Sequence, residues 1–280
     1  MPTHTRKQVD DWDKADLSHD FIFSKVMLDP RILKPFLEDC VAKPIPGLKV
    51  GRQQELNATL DAKAVRLDVS AMSALGAHFN LEMQVRNYGD VPPRCRYYGS
   101  SVDQELLASG QDYGSLNDSY VIFICMFDPI GDGKAMHTFR MYDTEADQAL
   151  NDGFYVILLY PFGDTSKLPA NVGGIMDMLA QRKPRLNDIT DLVKERIAYV
   201  KQSPELRREF QMLNMIQRDS FVEGLTEGRV EGRVETMELF AIVKKLLTGN
   251  LSNKEIIAKV KEKADVESAE VMKAIELLRS

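Results

Sequence analysis

Asp68, Glu82 and Gln84 are the residues of this chain whose types and spacing could do chemistry. They fall in two runs of alternating side chains. In the first, Val65, Leu67, Val69 and Ala71 share one face, and Arg66, Asp68 and Ser70 the other. In the second, Phe79, Leu81, Met83 and Val85 point one way and Asn80, Glu82 and Gln84 the opposite way. Gly76 lies between the runs as a turn signal. A turn centred on Leu75 sets position 68 against 82, 66 against 84, and 70 against 80. Opposed residues of an antiparallel pair have Cβ atoms about 4.5–5.5 Å apart. Two carboxylates there repel, and a divalent cation between them turns that cost into binding energy. Oxygen donors with room for water suit Mg2+ or Mn2+. Such an ion lowers the pKa of bound water and polarises a phosphodiester oxygen. Gln84, on the face of Glu82, could hold the attacking water or a phosphate oxygen, where a lysine would often be used. The plainer alternative is that these acids line a solvated strand face. A register slip by one residue would also send them to opposite faces.

The elements that must position these residues are legible from periodicity. A first helix is expected over Phe21–Met27, and a second over Pro30–Val41, with proline tolerated in its first turn and Ile32, Leu33, Phe36 and Leu37 as its apolar stripe. Pro44 and Pro46 break it. Strands are expected over Gln54–Leu60, Ala64–Ala71 and Phe79–Val85, then a helix from Arg96 to Ala108 ended by Gly110. Val121–Phe127 is a continuous apolar run, which suits a strand buried on both faces. His137–Tyr142 and Phe154–Tyr160 read as further strands. That order implies an α/β or α+β sheet domain over residues 17–163.

Beyond Asp164 the texture is helical. Residues 164–218 form a helical extension with helices over Ile175–Ala180, Thr190–Val200 and Pro204–Met215. Residues 219–236 carry Glu223-Gly224, Glu227-Gly228 and Glu231-Gly232, a period of four that puts the glycines near one helix face. Three glycines at about 1 kcal/mol each weaken such a helix, so a helix packed on a partner and a flexible linker both fit. Residues 237–280 form a small helical unit: Met237–Leu247, a capping box of Ser252 and Glu255 opening Lys254–Lys263, and Ser268–Leu278. The last two helices suit a DNA-binding helix-turn-helix or a self-association unit, and their mixed charges favour self-association.

Composition bounds the function classes. With 44% hydrophobic and 28% charged residues, the 280-residue chain is globular rather than disordered or fibrous. The net charge of −6 weighs mildly against a nucleic-acid partner, although local patches matter more than the total. Cys40, Cys95 and Cys125 form no CxxC pair, so a zinc site or disulfide framework is not expected, and free thiols fit a reducing compartment. The first residues have no apolar signal core, and no apolar run approaches the ~20 residues that span a membrane. A cytoplasmic protein is expected. The four histidines have no metal-ligand spacing.

Several segments together resemble a known family. They are Lys63-Ala-Val-Arg66-Leu67-Asp68-Val69, Leu81-Glu82-Met83-Gln84, Arg96-Tyr97-Tyr98-Gly99-Ser100, Gly110-Gln-Asp-Tyr113 with the strand after it, and Asp20-Phe21-Ile22-Phe23. The series, with its Glu-Gly tail, is similar to the PD-(D/E)XK nuclease family of recombination-promoting nucleases and transposases. The likeness spans residues 18–130, and the C-terminus more loosely. It implies a restriction-endonuclease-like α/β fold, a mixed sheet flanked by helices with an all-helical C-terminal extension. It also implies Mg2+-dependent (or Mn2+-dependent) DNA cleavage linked to recombination or mobile elements. Asp68 and Glu82 would be metal ligands, and Gln84 would fill the catalytic lysine slot. Asp20 would be an extra metal ligand or a helix N-cap. Leu67 replaces the family's proline, and Ser24 stands where a lysine usually follows Phe23. Lys63 and Arg66 could meet DNA phosphate or balance the local acids, and Arg94 and Arg96 could approach the DNA backbone or face solvent. Tyr97 and Tyr98 read as packing residues. A catalytically weak nuclease-fold protein that binds or regulates DNA is the alternative, and self-association through the C-terminal helices is compatible with both.

Overall fold

Helix α1 (Asp20–Met27) opens on His19, whose ring nitrogen Nδ1 accepts from Phe21 N at 3.3 Å, so the cap is His19 rather than Asp20. Helix α2 (Pro30–Val41) has the expected bounds. The Asp29 carboxylate accepts from Arg31 N, Pro30 takes the first helical position, and Ile32, Leu33, Phe36 and Leu37 are buried. The helix ends on Ala42 in the left-handed region (φ 52°). The computed structural model describes residues 12–51, 55–56, 65–66, 68–107, 110–185, 187–249, 251–262 and 266–279.

The strands that follow are β1 (Leu48–Gly51), β2 (Glu55–Leu56), β3 (Val65–Arg66), β4 (Val69–Ser73) and β5 (His78–Gln84). Only Glu55 and Leu56 of the expected 54–60 strand are described, and β1 was not expected. The run 64–71 is not one strand. β3 pairs with β2 in a separate two-stranded sheet, Glu55 beside Arg66, and the main sheet begins again at Val69. Arg66 therefore does not lie opposite position 84.

Helix α3 (Val91–Leu106) starts five residues before the expected Arg96. Pro92 and Pro93 lie in its first turn, where the missing N–H groups have no intrahelical partner to lose. Then come β6 (Ser119–Cys125), β7 (Met136–Phe139), β8 (Tyr142–Asp143), β9 (Gln148–Ala149) and β10 (Phe154–Leu159). The expected strand 137–142 is thus divided: β7 joins the main sheet through β10, and β8 turns back on β9 as a separate hairpin. The main sheet has six strands in the order β1-β4-β5-β6-β10-β7. β5-β6 and β6-β10 are parallel and the other pairs antiparallel, so the sheet is mixed. A parallel pair needs a crossover, and α3 supplies the one between β5 and β6.

Register assigns the faces. Glu82, Phe123 and Leu158 stand side by side across β5, β6 and β10, and so do Leu81, Ile122 and Ile157 on the next row. α3 lies on the Glu82–Phe123–Leu158 face, where Val91 and Cys95 share a core with Val121, Phe123, Cys125 and Leu158. It approaches closely: a Cβ on Gly99 would fall 2.3 Å from Phe154 Cε2. The other row is buried too, with Leu81, Ile122 and Ile157 at 1% exposure or less.

Helices α4 (Ala170–Leu179) and α5 (Asp188–Gln202) complete the first unit with the start of α6 (Pro204–Leu247). α6 is a continuous 44-residue helix that runs through the Glu-Gly repeat. The chain forms two compact units, one through Phe210 and one from Gln211. In the second, α7 (Asn253–Lys261) and α8 (Ser268–Arg279) pack on the end of α6 around Val243, Ile256, Val260, Val271 and Ile275. The Ser252–Glu255 capping box is formed. Among the described residues, no helix is long and apolar enough to cross a membrane.

Candidate active site

The β4–β5 hairpin sets the site. Gly76 turns the chain with φ 87°, and a Cβ there would fall 2.4 Å from Asn117 Nδ2. The ladder pairs Val69 with Leu81, Ser70 with Asn80 and Ala71 with Phe79, a register centred on position 75 as the alternation implies. One step on, Asp68 and Glu82 meet. Asp68 N donates to Glu82 Oε1 at 3.0 Å, and Met83 N donates to Asp68 Oδ2 at 3.3 Å. Each carboxylate accepts from the backbone of the other strand, so the two side chains cross.

The surroundings of this pair are not those of a solvated face. Glu82 is 2% exposed, Asn80 0% and Gln84 9%. Burial holds the Glu82 carboxyl well above the usual carboxylate range, and the negative Asp68 adds to it. The Asp68 amide, Arg94 and Asn80 pull the other way without reversing it. Asn80 lies near enough to act on Glu82, yet neither of its side-chain amide atoms makes a hydrogen bond of full geometry. The strip continues to His78, whose Nε2 is 3.0 Å from Ser70 Oγ. Burial lowers the His78 pKa to about 4, so the ring is neutral at pH 7. Its Nδ1 and the nearby Ser119 Oγ are buried and have no hydrogen-bond partner among the described residues.

The helix above the sheet adds a cation. Arg94 Nη2 donates to Tyr98 Oη at 3.3 Å, and its guanidinium carbon is 5.7 Å from the Tyr98 ring and 6.0 Å from the Phe123 ring. Phe123 is the β6 neighbour of Glu82. The Tyr98 hydroxyl is pushed up by burial and by the Glu82 charge, so this helix and the acids share one electrostatic environment. Arg94, 200° round the helix from Arg96 in the ideal geometry of about 100° per residue, faces the sheet, while Arg96 is exposed. A helix begun at Val91 would have revealed this, since 91, 94, 95 and 98 form one helical face.

Other candidates are placed elsewhere. Asp20 is the first residue of α1, accepts from Phe21 N at 2.7 Å and lies 2.9 Å from His19 Nδ1. Among the described residues no group of three His, Cys, Asp or Glu is placed to hold a metal, so Asp20 does not join Asp68 and Glu82. Lys63 lies outside the described residues, and Arg66 is described only as backbone paired with Glu55. Cys95 and Cys125 are buried free thiols pushed up to about 12, which removes them as nucleophiles.

The donor set fits a hard cation. Two crossed carboxylates and the Gln84 amide on the same face offer only oxygen for coordination, and the carboxylate that burial has made costly gains a partner when a cation binds. Comparison with curated proteins and with solved structures gives no match. A family model does match: residues 14–160, more than half of the chain, fit the PD-(D/E)XK nuclease family transposase. The matched region carries the mixed sheet, the crossed acids and α3, and the chain belongs to this nuclease family related to mobile elements.

Proposed function

We propose that the protein is a Mg2+- or Mn2+-dependent DNA endonuclease that acts in recombination or mobile-element movement. The observation that carries this reading is the Asp68–Glu82 crossing, which buries the Glu82 carboxyl beside a second acid. Proteins do not keep such a pair without compensation, because like charges in a poorly solvated place cost several kcal/mol or protonate. Asp68 and Glu82 would hold the cation. When bound, the ion would supply a water of lowered pKa and a Lewis acid for the phosphodiester. Gln84 would orient the attacking water or a phosphate oxygen through its amide.

Supercoiled plasmid incubated with Mg2+ or Mn2+ should be nicked or linearised, and Asp68→Ala or Glu82→Ala should bring this to background. Equal activity in wild type and both variants would remove the assignment. Gln84 and the net charge of −6 favour a second reading, a nuclease-fold protein that binds or regulates DNA without cutting it. That reading requires duplex binding in EDTA together with no Mn2+ heat in calorimetry.

A further inference from the structure

We propose that Arg94, on α3, supplies the positive charge that a lysine at position 84 would otherwise bring to the scissile phosphate. The inference rests on the endonuclease reading and assigns one more residue to its chemistry. In phosphodiester hydrolysis negative charge develops on the phosphate oxygens, and fixed cations or donors aimed there are a large part of catalysis. On β5 the residue two after Glu82 is a neutral amide. A glutamine donates hydrogen bonds but brings no charge, so the compensating charge must come from the metal or from another element.

The geometry points to Arg94. Its guanidinium is stacked over the rings of Tyr98 and Phe123, and Phe123 stands beside Glu82 in the β5–β6 ladder. Neighbouring strands are about 4.8 Å apart, so the fork is carried over the row that holds the acid. Its one side-chain hydrogen bond among the described residues goes to Tyr98 Oη. Its charge acts on Glu82 through space, while that hydrogen bond goes to the helix tyrosine instead. An arginine has five N–H donors, so four are uncommitted there. A guanidinium meant only to neutralise Glu82 would close on it. This one is held by aromatic faces at a distance, with a fork that matches two oxygens of a phosphate.

The alternative is a structural role, in which Arg94 merely fastens α3 to the sheet through Tyr98. The two roles differ in what happens to the metal. Removing a nearby cation leaves the divalent affinity of Asp68 and Glu82 unchanged or raises it, whereas loosening the site lowers it. Arg94→Met in the full chain is therefore compared with wild type in three measurements: single-turnover cleavage of a labelled duplex with Mg2+, Mn2+ affinity by calorimetry, and duplex affinity in Ca2+. The expected result is a rate about 100-fold lower, a Mn2+ affinity equal to or tighter than wild type, and a duplex affinity about tenfold weaker. Cleavage at the wild-type rate overturns the inference while the endonuclease reading stands. Loss of cleavage with loss of Mn2+ binding also overturns it, because the role is then structural. If wild type itself does not cleave, the endonuclease reading falls, and an unchanged duplex affinity on Arg94→Met then overturns the phosphate contact too. Should Arg94→Met fail to fold, Arg94→Gln, which keeps a donor for Tyr98, is judged by the same three criteria.

Discussion

His78 is a buried imidazole with one nitrogen on Ser70 and the other without a partner among the described residues, and its neutral form is the one that folding selects. Its ordinary pKa of 6.5 in the unfolded chain falls to about 4 in the folded one. Between those values the unfolded state binds the extra proton, so stability falls as pH falls from 6.5 towards 4 and is unaffected above that window. At 1.36 kcal/mol per unit, the whole loss is about 3 kcal/mol, with about 2 kcal/mol of it reached by pH 5. Denaturant unfolding at pH 7 and pH 5 should show a loss of stability about 2 kcal/mol larger in wild type than in His78→Gln. An equal difference in both would place the titration elsewhere. Glu82 works in the opposite direction. Its raised pKa costs stability when the group is ionised, and that cost vanishes as pH falls to the ordinary 4.5. Without metal, Glu82→Gln should therefore melt at a higher temperature than wild type at pH 8, and Mn2+ should raise the melting temperature of wild type but not of the variant. A wild type that melts higher than Glu82→Gln in EDTA would contradict the cost assigned to the buried carboxylate.

Helix α3 is the element on which the site depends most, since it covers the polar face of β5 and brings Arg94 over it. Gly99 lets it lie that close. Gly99→Ala gains about 1 kcal/mol of helix propensity, but its methyl would stand 2.3 Å from Phe154 Cε2, a ring packed in the core under the helix. Overpacking of that kind costs about 1–3 kcal/mol, so the net effect is a destabilisation of about 1 kcal/mol, seen as a lower denaturant midpoint. Cleavage should fall with it, because the displaced helix carries Arg94. A stabilised, fully active Gly99→Ala would show that the ring moves aside freely. The same helix marks the limit of what the sequence reveals. Strand alternation and Gly76 were enough to place Asp68 beside Glu82, because a period of two and a turn centre determine a register. The first-turn proline and apolar stripe of α2 were equally local. The first turn of α3 holds Pro92 and Pro93, a place where proline is tolerated, and the expected start at Arg96 passed over it. The burial of Asn80, Glu82 and Gln84 was not legible either. Polar alternation looks the same on a solvated face and on one roofed by a helix from elsewhere in the chain. That Arg66 pairs with β2 while Val69 pairs with β5 is likewise a tertiary choice that strand propensity does not encode.

At the scale of the whole molecule, the two units divide within one helix, and Phe210 is the residue that ties the start of α6 to the first of them. Its ring is fully buried, 5.1 Å from Trp12, 5.5 Å from Phe21 and 5.1 Å from His19, while Lys25 reaches Glu209 at 2.7 Å. Phe210→Ala should cost the first unit about 3–5 kcal/mol. The second unit has its own core, and Ile275 at 1% exposure sits in it. A carboxylate buried there without a partner is not tolerated, so Ile275→Asp should melt that unit alone. Because Asp68, Glu82 and Arg94 all lie in the first unit, plasmid nicking by Ile275→Asp should stay within about twofold of wild type, a change of less than 0.5 kcal/mol. The C-terminal helices are proposed to mediate self-association, which makes the oligomeric state the property this variant tests. Light scattering should then report a smaller species for Ile275→Asp than for wild type. An unchanged mass with a melted second unit would remove self-association through those helices, and nicking lost along with the second unit would mean that the nuclease body does not act alone.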